Sequence, residues 1–86
     1  MTIKTIMWND RGWEDYLYWQ NNAKILKQIN KLIKVIQRTP YEGLGNPEAL
    51  RYEMTGYWSR RIDREHRLIY KVIDDTVVFI QCRHHY

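Results

Sequence analysis

The sequence predicts an α+β domain: an N-terminal strand, a two-helix hairpin and an antiparallel-rich sheet against which the helices pack. Three observations carry this expectation. One segment repeats its apolar residues at helical spacing, the second half falls into short β-rich runs separated by two- to four-residue polar breaks, and a single Gly/Pro-rich stretch divides the two patterns. Eighty-six residues suffice for one core but not for two, so a single domain spanning residues 1–86 is expected.

The elements follow in order. Thr2–Trp8 mixes β-branched and large apolar residues and reads as a strand. Asn9 or Asp10 caps a first helix, in which Trp13, Tyr16, Leu17 and Trp19 line one face. Gly12 weakens that helix by roughly 1 kcal/mol relative to alanine. Trp8, Trp13, Leu17 and Trp19 are assigned to the core because small domains need aromatic bulk. Asn22 caps a second helix whose Ile25, Ile29, Leu32, Ile33 and Ile36 form a stripe, with Lys24, Lys27, Lys31 and Lys34 mainly off it. Pro40 ends that helix by biasing Thr39 away from helical geometry. Tyr41–Pro47 is a connector. Strands are expected at Ala49–Met54, Tyr57–Ile62, Arg67–Ile73 and Thr76–Arg83, joined as a meander.

Composition narrows the function. Hydrophobic residues make up 44% of the chain and charged residues 28%, as in ordered globular domains, so disorder is not expected. No run approaches the ~18–20 apolar residues that span a bilayer, and no secretory apolar segment opens the chain, which points to a cytoplasmic location without membrane attachment. Cys82 is the sole cysteine, so no internal disulfide can form. The net charge of +4 suits a polyanionic partner but is also common without one. The kind of cation says more. Residues 1–43 contain five Lys and two Arg, whereas residues 44–86 contain six Arg and one Lys. Arginine's planar fork matches phosphate, so the second half is the expected binding half.

Gly-rich phosphate loops, paired-cysteine zinc motifs and nucleophile elbows are absent from the sequence. Cys82, His84 and His85 offer metal-ligand types, but three ligands within four residues of a strand end do not converge on one tetrahedron, so neither a metal nor another cofactor is expected. What remains is Glu48, the arginines Arg51, Arg60, Arg61, Arg67 and Arg83, and histidines beside Tyr86. These are the parts of metal-free RNA cleavage: a base for the ribose 2′-hydroxyl, cations for the phosphorane and an acid for the leaving oxygen. Each residue also has a plainer reading. Glu48 can be a solvated acid, Arg67 a cross-strand ion-pair partner, His85 a frayed terminal residue and His66 a piece of turn structure.

The residues that tip this balance are Trp8, Trp13-Glu14-Asp15-Tyr16-Leu17-Tyr18-Trp19-Gln20, Arg38-Thr39-Pro40-Tyr41-Glu42-Gly43, Gly45, Pro47-Glu48, Gly56-Tyr57-Trp58-Ser59-Arg60-Arg61-Ile62, Glu65-His66-Arg67-Leu68-Ile69-Tyr70 and Cys82-Arg83-His84-His85-Tyr86. In this order and spacing the chain resembles the YoeB branch of the RelE-type toxins, the toxic halves of bacterial toxin–antitoxin pairs. The resemblance implies a microbial-ribonuclease-like fold, cleavage of mRNA in the ribosomal A site, and neutralisation by a cognate YefM/Phd-like antitoxin. It implies Glu48 as general base, His85 as general acid, Arg67 as the arginine on the scissile phosphate and Tyr86 as an ordering residue. Arg61, Arg51 and Arg60 fall where the family contacts RNA or ribosome, and Arg83 joins them as a further phosphate-binding candidate. The ribosome, mRNA and the antitoxin are thus the expected partners, with a homodimer possible. The sequence departs from the resemblance at Ala49 and at His84, a second imidazole beside the presumed acid, and the turn between its helices is one residue shorter. Alternation along an extended tail separates the two histidines and leaves the acid role to His85. A non-catalytic RNA- or ribosome-binding module using the same arginines stays open as the alternative.

Overall fold

A computed structural model describes residues 2–84. Its elements run β1 (Thr5–Trp8), α1 (Asp10–Tyr18), a 3-10 turn (Trp19–Asn21), α2 (Ala23–Arg38), β2 (Glu48–Ala49), a second 3-10 turn (Tyr52–Met54), β3 (Tyr57–Arg61), β4 (Arg67–Ile73) and β5 (Thr76–Gln81). The strands form one mixed sheet in the order β1-β5-β4-β3-β2. β2 to β5 pair antiparallel, while β1 pairs parallel with β5. The α+β expectation is met, as an antiparallel meander with one parallel edge strand.

Both helix starts are capped as the sequence requires. The Asn9 side chain accepts from the Gly12 amide at 2.7 Å, and that of Asn22 accepts from the Ile25 amide at 3.1 Å, each satisfying an orphan N–H of the first turn. From α2, Ile29, Leu32 and Ile36 are fully buried at i, i+3 and i+7. They pack with Leu68, Tyr70, Val77 and Phe79 of the sheet, and with Ile3, Trp19, Ile62 and Cys82, as the core between helices and sheet.

The face of α1 differs from the expected one. Gly12, Asp15 and Trp19 point inward, whereas Trp13, Leu17 and Tyr18 are exposed. Trp13 and Leu17 are therefore not core residues, and Trp8 is only half-buried against it. Gly12 explains the shift. A Cβ on that residue would lie 2.6 Å from the Phe79 carbonyl oxygen, so glycine lets the helix backbone rest directly on β5.

Two strand expectations also need correction. Of the expected Ala49–Met54 only Ala49 lies in a strand, the two-residue β2, because Arg51 leads into a 3-10 turn and Tyr52 takes a left-handed φ of 58°. Thr76–Arg83 is not one regular strand: the β4–β5 register slips between Ile69 and Tyr70, pairing Ile69 with Gln81 but Tyr70 with Phe79. Ile80 is the extra residue. This bulge reverses the in-and-out phase, so Cys82 rather than Gln81 continues the core side begun by Val77 and Phe79.

Candidate functional site

The face of the sheet away from the helices carries the candidate site. Directly opposed residues in a ladder point to the same side, and alternate residues along a strand share a face. Glu48 stands opposite Ser59, Ser59 opposite Ile69, and Ile69 opposite Gln81, which makes one row across four strands. Two residues along β3 and β4, Arg61 stands opposite Arg67. Glu48, Arg61 and Arg67 therefore share this face, with the carboxylate two strands, or about 10 Å of backbone, from β4. That span is within reach of long side chains converging on one phosphodiester.

The floor of the row is buried at Ser59, Ile69 and Gln81, as is Leu50 just after β2. Its functional groups are open. Glu48 is exposed and has no side-chain hydrogen bond or ion pair among the described residues, and a cleft of about 340 Å³ lined by Glu48, Leu50, Arg51 and Tyr52 begins beside it. Arg61 is exposed and likewise uncommitted, while its backbone N–H donates to the Gly45 carbonyl at 2.7 Å. Arg67 is half-buried. Its Nη1 donates to the carbonyls of Asp63 at 2.8 Å and His66 at 3.1 Å, which leaves the other edge of the fork without a protein partner among the described residues. An arginine anchored at one corner is pre-aimed at a phosphate.

Arg60 departs from its expected role in RNA contact. It is fully buried on the helix side of β3, where Nε donates to Tyr70 Oη at 3.0 Å, Nη1 to the Leu44 carbonyl at 2.8 Å, and Nη2 to the carbonyls of Thr39 at 2.6 Å and Glu42 at 3.0 Å. Tyr70 Oη in turn donates to the Pro40 carbonyl at 2.6 Å. Burial pushes the Tyr70 hydroxyl above its usual pKa of 10.0, against the pull of the neighbouring Arg60 charge. This network fixes the connector between α2 and β2. Gly45, at φ 90°, lets the connector pass under Arg60, since a Cβ there would meet Leu32 Cδ2 at 2.8 Å. Arg60 thus acts on the site indirectly, by setting the path of the segment that delivers Glu48. Nothing in the sequence distinguished it from Arg61 except one step of strand phase.

Arg83 is half-buried with its guanidinium 3.7 Å from the centre of the Tyr18 ring, a stacked cation that orients the fork. His85 and Tyr86 lie outside the described residues. The segment leading to them is gripped from two sides. At Cys82 the carbonyl accepts from Trp19 Nε1 at 2.8 Å and the N–H donates to Asp15 Oδ2 at 3.1 Å. At His84 the N–H donates to His66 Nδ1 at 2.7 Å and the carbonyl accepts from the Arg67 N–H at 3.0 Å. His84 is not extended, as alternation had suggested, but left-handed at φ 64°. Extended alternation therefore does not govern where its imidazole points.

The turn before β4 adds groups that sequence reasoning did not nominate. Asp63 Oδ1 accepts from the N–H groups of Glu65 at 2.9 Å and His66 at 2.7 Å. Burial pushes the Asp63 carboxyl up, but those two backbone hydrogen bonds and the charge of Arg67 outweigh it and hold the group below its ordinary 3.8. Glu65 Oε2 lies 3.8 Å from His66 Nε2 and 3.9 Å from His84 Nδ1. Only the run Glu65-His66-Arg67 signals this cluster in the sequence.

Glu65, His66 and His84 bring possible ligand atoms within 4.8 Å of one another. Their hydrogen bonding argues for protons rather than a metal. His66 Nδ1 already spends its lone pair on the His84 amide, so a neutral ring carries its proton on Nε2, the atom a metal would need. Cys82 is no better as a ligand: burial, aided by the Asp15 charge, pushes its thiol up to about 12.

Comparison with known proteins adds the following. Residues 8–86 match the model of the YoeB-like toxin of bacterial type II toxin-antitoxin systems. Toxin YoeB of Escherichia coli strain K12 is 52% identical over 82 residues, covering 94% of this chain and 98% of that protein. The solved YoeB/ParE toxin from Agrobacterium tumefaciens superposes with a TM-score of 0.92 at 44% identity, over 96% of this chain and 100% of that one. A YoeB-YefM complex from Staphylococcus aureus gives 0.89 at 44% identity, with both chains covered in full.

Proposed function

The chain belongs to the YoeB-like toxins of bacterial type II toxin-antitoxin systems, and on that premise we propose that it is a metal-independent endoribonuclease that cleaves mRNA in the ribosomal A site. The observation that carries the reading is the shared sheet face of Glu48, Arg61 and Arg67, each with uncommitted polar atoms. In the reaction, Glu48 takes the proton of a ribose 2′-hydroxyl as its oxygen attacks the adjacent phosphorus. Arg67, helped by Arg61, neutralises the added charge on the phosphorane. His85 gives a proton to the departing 5′-oxygen, and the products are a 2′,3′-cyclic phosphate and a 5′-hydroxyl. Tyr86 orders the terminal segment, while Arg51 and the stacked Arg83 hold flanking phosphates.

So open a face aligns its substrate weakly by itself, and a ribosome that holds mRNA extended supplies the missing orientation. The toxin acts in the cytoplasm, where its mRNA and ribosome partners are. Its inhibitor is a YefM-like antitoxin with an acidic segment that folds over the basic surface. The groove along α2, lined by Lys27, Lys31 and Lys34 with Leu26, has the charge and apolar floor that such a segment would use.

Primer extension on translated mRNA tests the reading with wild type, Glu48→Ala and His85→Ala at equal folding. Discrete stops near the A-site codon are expected for wild type alone. Salt-sensitive RNA binding with uncut message from all three proteins would instead select the non-catalytic binding module.

A further inference from the structure

The proposed acid stands one residue beyond His84, so the geometry of His84 decides where the chain carries it. His84 is left-handed at φ 64°, a conformation that disfavours a residue with a Cβ and persists only where its surroundings impose it. The surroundings here are two consecutive residues, His66 in the turn before β4 and Arg67 at its first position. The Arg67 N–H binds the His84 carbonyl at 3.0 Å, and His66 Nδ1 accepts the His84 N–H at 2.7 Å. The first is a backbone bond that any sequence could make. The second depends on one side-chain atom.

That atom is held rigidly. His66 is buried, its ring meets Trp19 edge-on at a centroid distance of 4.7 Å, and its backbone N–H is bound by Asp63. Trp19 also binds the Cys82 carbonyl, so the indole that braces His66 anchors the same tail two residues earlier.

We propose that His66 is a positioning residue of the nuclease site: its Nδ1 lone pair locks the His84 amide and sets the left-handed turn from which the chain proceeds to His85. The inference rests on the nuclease reading given above, but its structural half stands apart from it. It requires an acceptor at the Nδ1 position, which makes it separable from a general packing role. Asparagine places Oδ1 where histidine has Nδ1, whereas glutamine, nearer in size, places its amide where histidine has Nε2. Asparagine should therefore replace His66 and glutamine should not.

The experiment measures single-turnover cleavage on programmed ribosomes, amide hydrogen exchange at His84 and thermal stability for wild type, His66→Asn and His66→Gln. The expected result is cleavage within about threefold of wild type for His66→Asn and at least about thirtyfold slower for His66→Gln, as a change in kcat with KM little altered. His84 exchange should stay slow in His66→Asn and become fast in His66→Gln. Equal cleavage or equal His84 protection in the two variants overturns the proposal. A third protein guards against misfolding. The native Cys82 allows a synthetic peptide of residues 82–86 to be ligated with an ester in place of the His84 amide, which removes the N–H and leaves His66 untouched. A comparable thirtyfold loss supports the proposal, and a wild-type rate overturns it. Should wild type itself cut no message, the nuclease reading fails and the catalytic half of this inference with it. His84 exchange, slow in wild type and His66→Asn but fast in His66→Gln, would then mark that failure as one of chemistry and not of geometry.

Discussion

Arg60 and Arg61 are neighbours on β3, and one step of strand alternation gives them different lives. On the helix side Arg60 is buried and spends its donors on the Tyr70 hydroxyl and the carbonyls of Thr39, Glu42 and Leu44, with no carboxylate among the described residues involved. On the open side Arg61 is exposed opposite Arg67 and commits no side-chain donor among the described residues. The two faces divide this neighbouring pair between a buried structural network and the open candidate site. A count of cations measures charge, but only phase along the strand tells which charge meets solvent.

The comparison is broken most severely at Arg60. Arg60→Ala leaves a cavity and orphans several buried carbonyls, and should cost about 4 kcal/mol, whereas Arg61→Ala should stay within about 0.5 kcal/mol. Urea unfolding of both variants decides it, and equal stabilities would erase the distinction between faces. On the open face, Glu48→Ala should slow cleavage by at least about a hundredfold without moving the melting temperature. Gly12→Ala sharpens the helix side. Intrinsic propensity favours alanine by about 1 kcal/mol, yet the 2.6 Å approach to the Phe79 carbonyl oxygen should make the substitution destabilising by about 2 kcal/mol in thermal melts.

Smaller effects are expected in the segment after β5. His84→Gly should hold stability within about 0.5 kcal/mol because glycine accepts φ 64° freely, and His84→Val should lose about 1 kcal/mol. The smallest concerns acid. Asp63 has its pKa lowered in the folded state, so its contribution is present above the ordinary value of 3.8 and is lost as pH falls through the lowered one. Wild type and Asp63→Asn should therefore converge in stability on acidification below that value. A difference that widens instead would mean that the Asp63 bonds to Glu65 and His66 do not stabilise the turn.

Much of this architecture was legible in advance, for local reasons. The α2 stripe, both asparagine caps and the polar breaks of the meander act through near neighbours in the chain, and they appear where the pattern put them. The candidate site was legible as a set of residue types, and the structure brings Glu48, Arg61 and Arg67 to one face. The failures were all non-local. Whether Trp13 or Gly12 faces β5 depends on how closely helix and strand approach, and Arg60 is buried because a connector some twenty residues earlier in sequence offers carbonyls to it. The Ile80 bulge, which places Cys82 inside, leaves no mark in a run of β-branched and aromatic residues. His84 lost its extended geometry to bonds from His66, just before β4, and from Arg67 at its start.

The parallel pairing of β1 with β5 bears on the order in which the sheet can close as the chain folds. Strand β1 and its ladder partner β5 stand about seventy residues apart in the chain, with Thr5 opposite Thr76, so this edge of the sheet cannot close until β5 is in place. Non-local closure of this kind folds late and slowly. The hairpins β3–β4 and β4–β5, whose partners lie near one another in the chain, can therefore form before the edge that ties β1 to them.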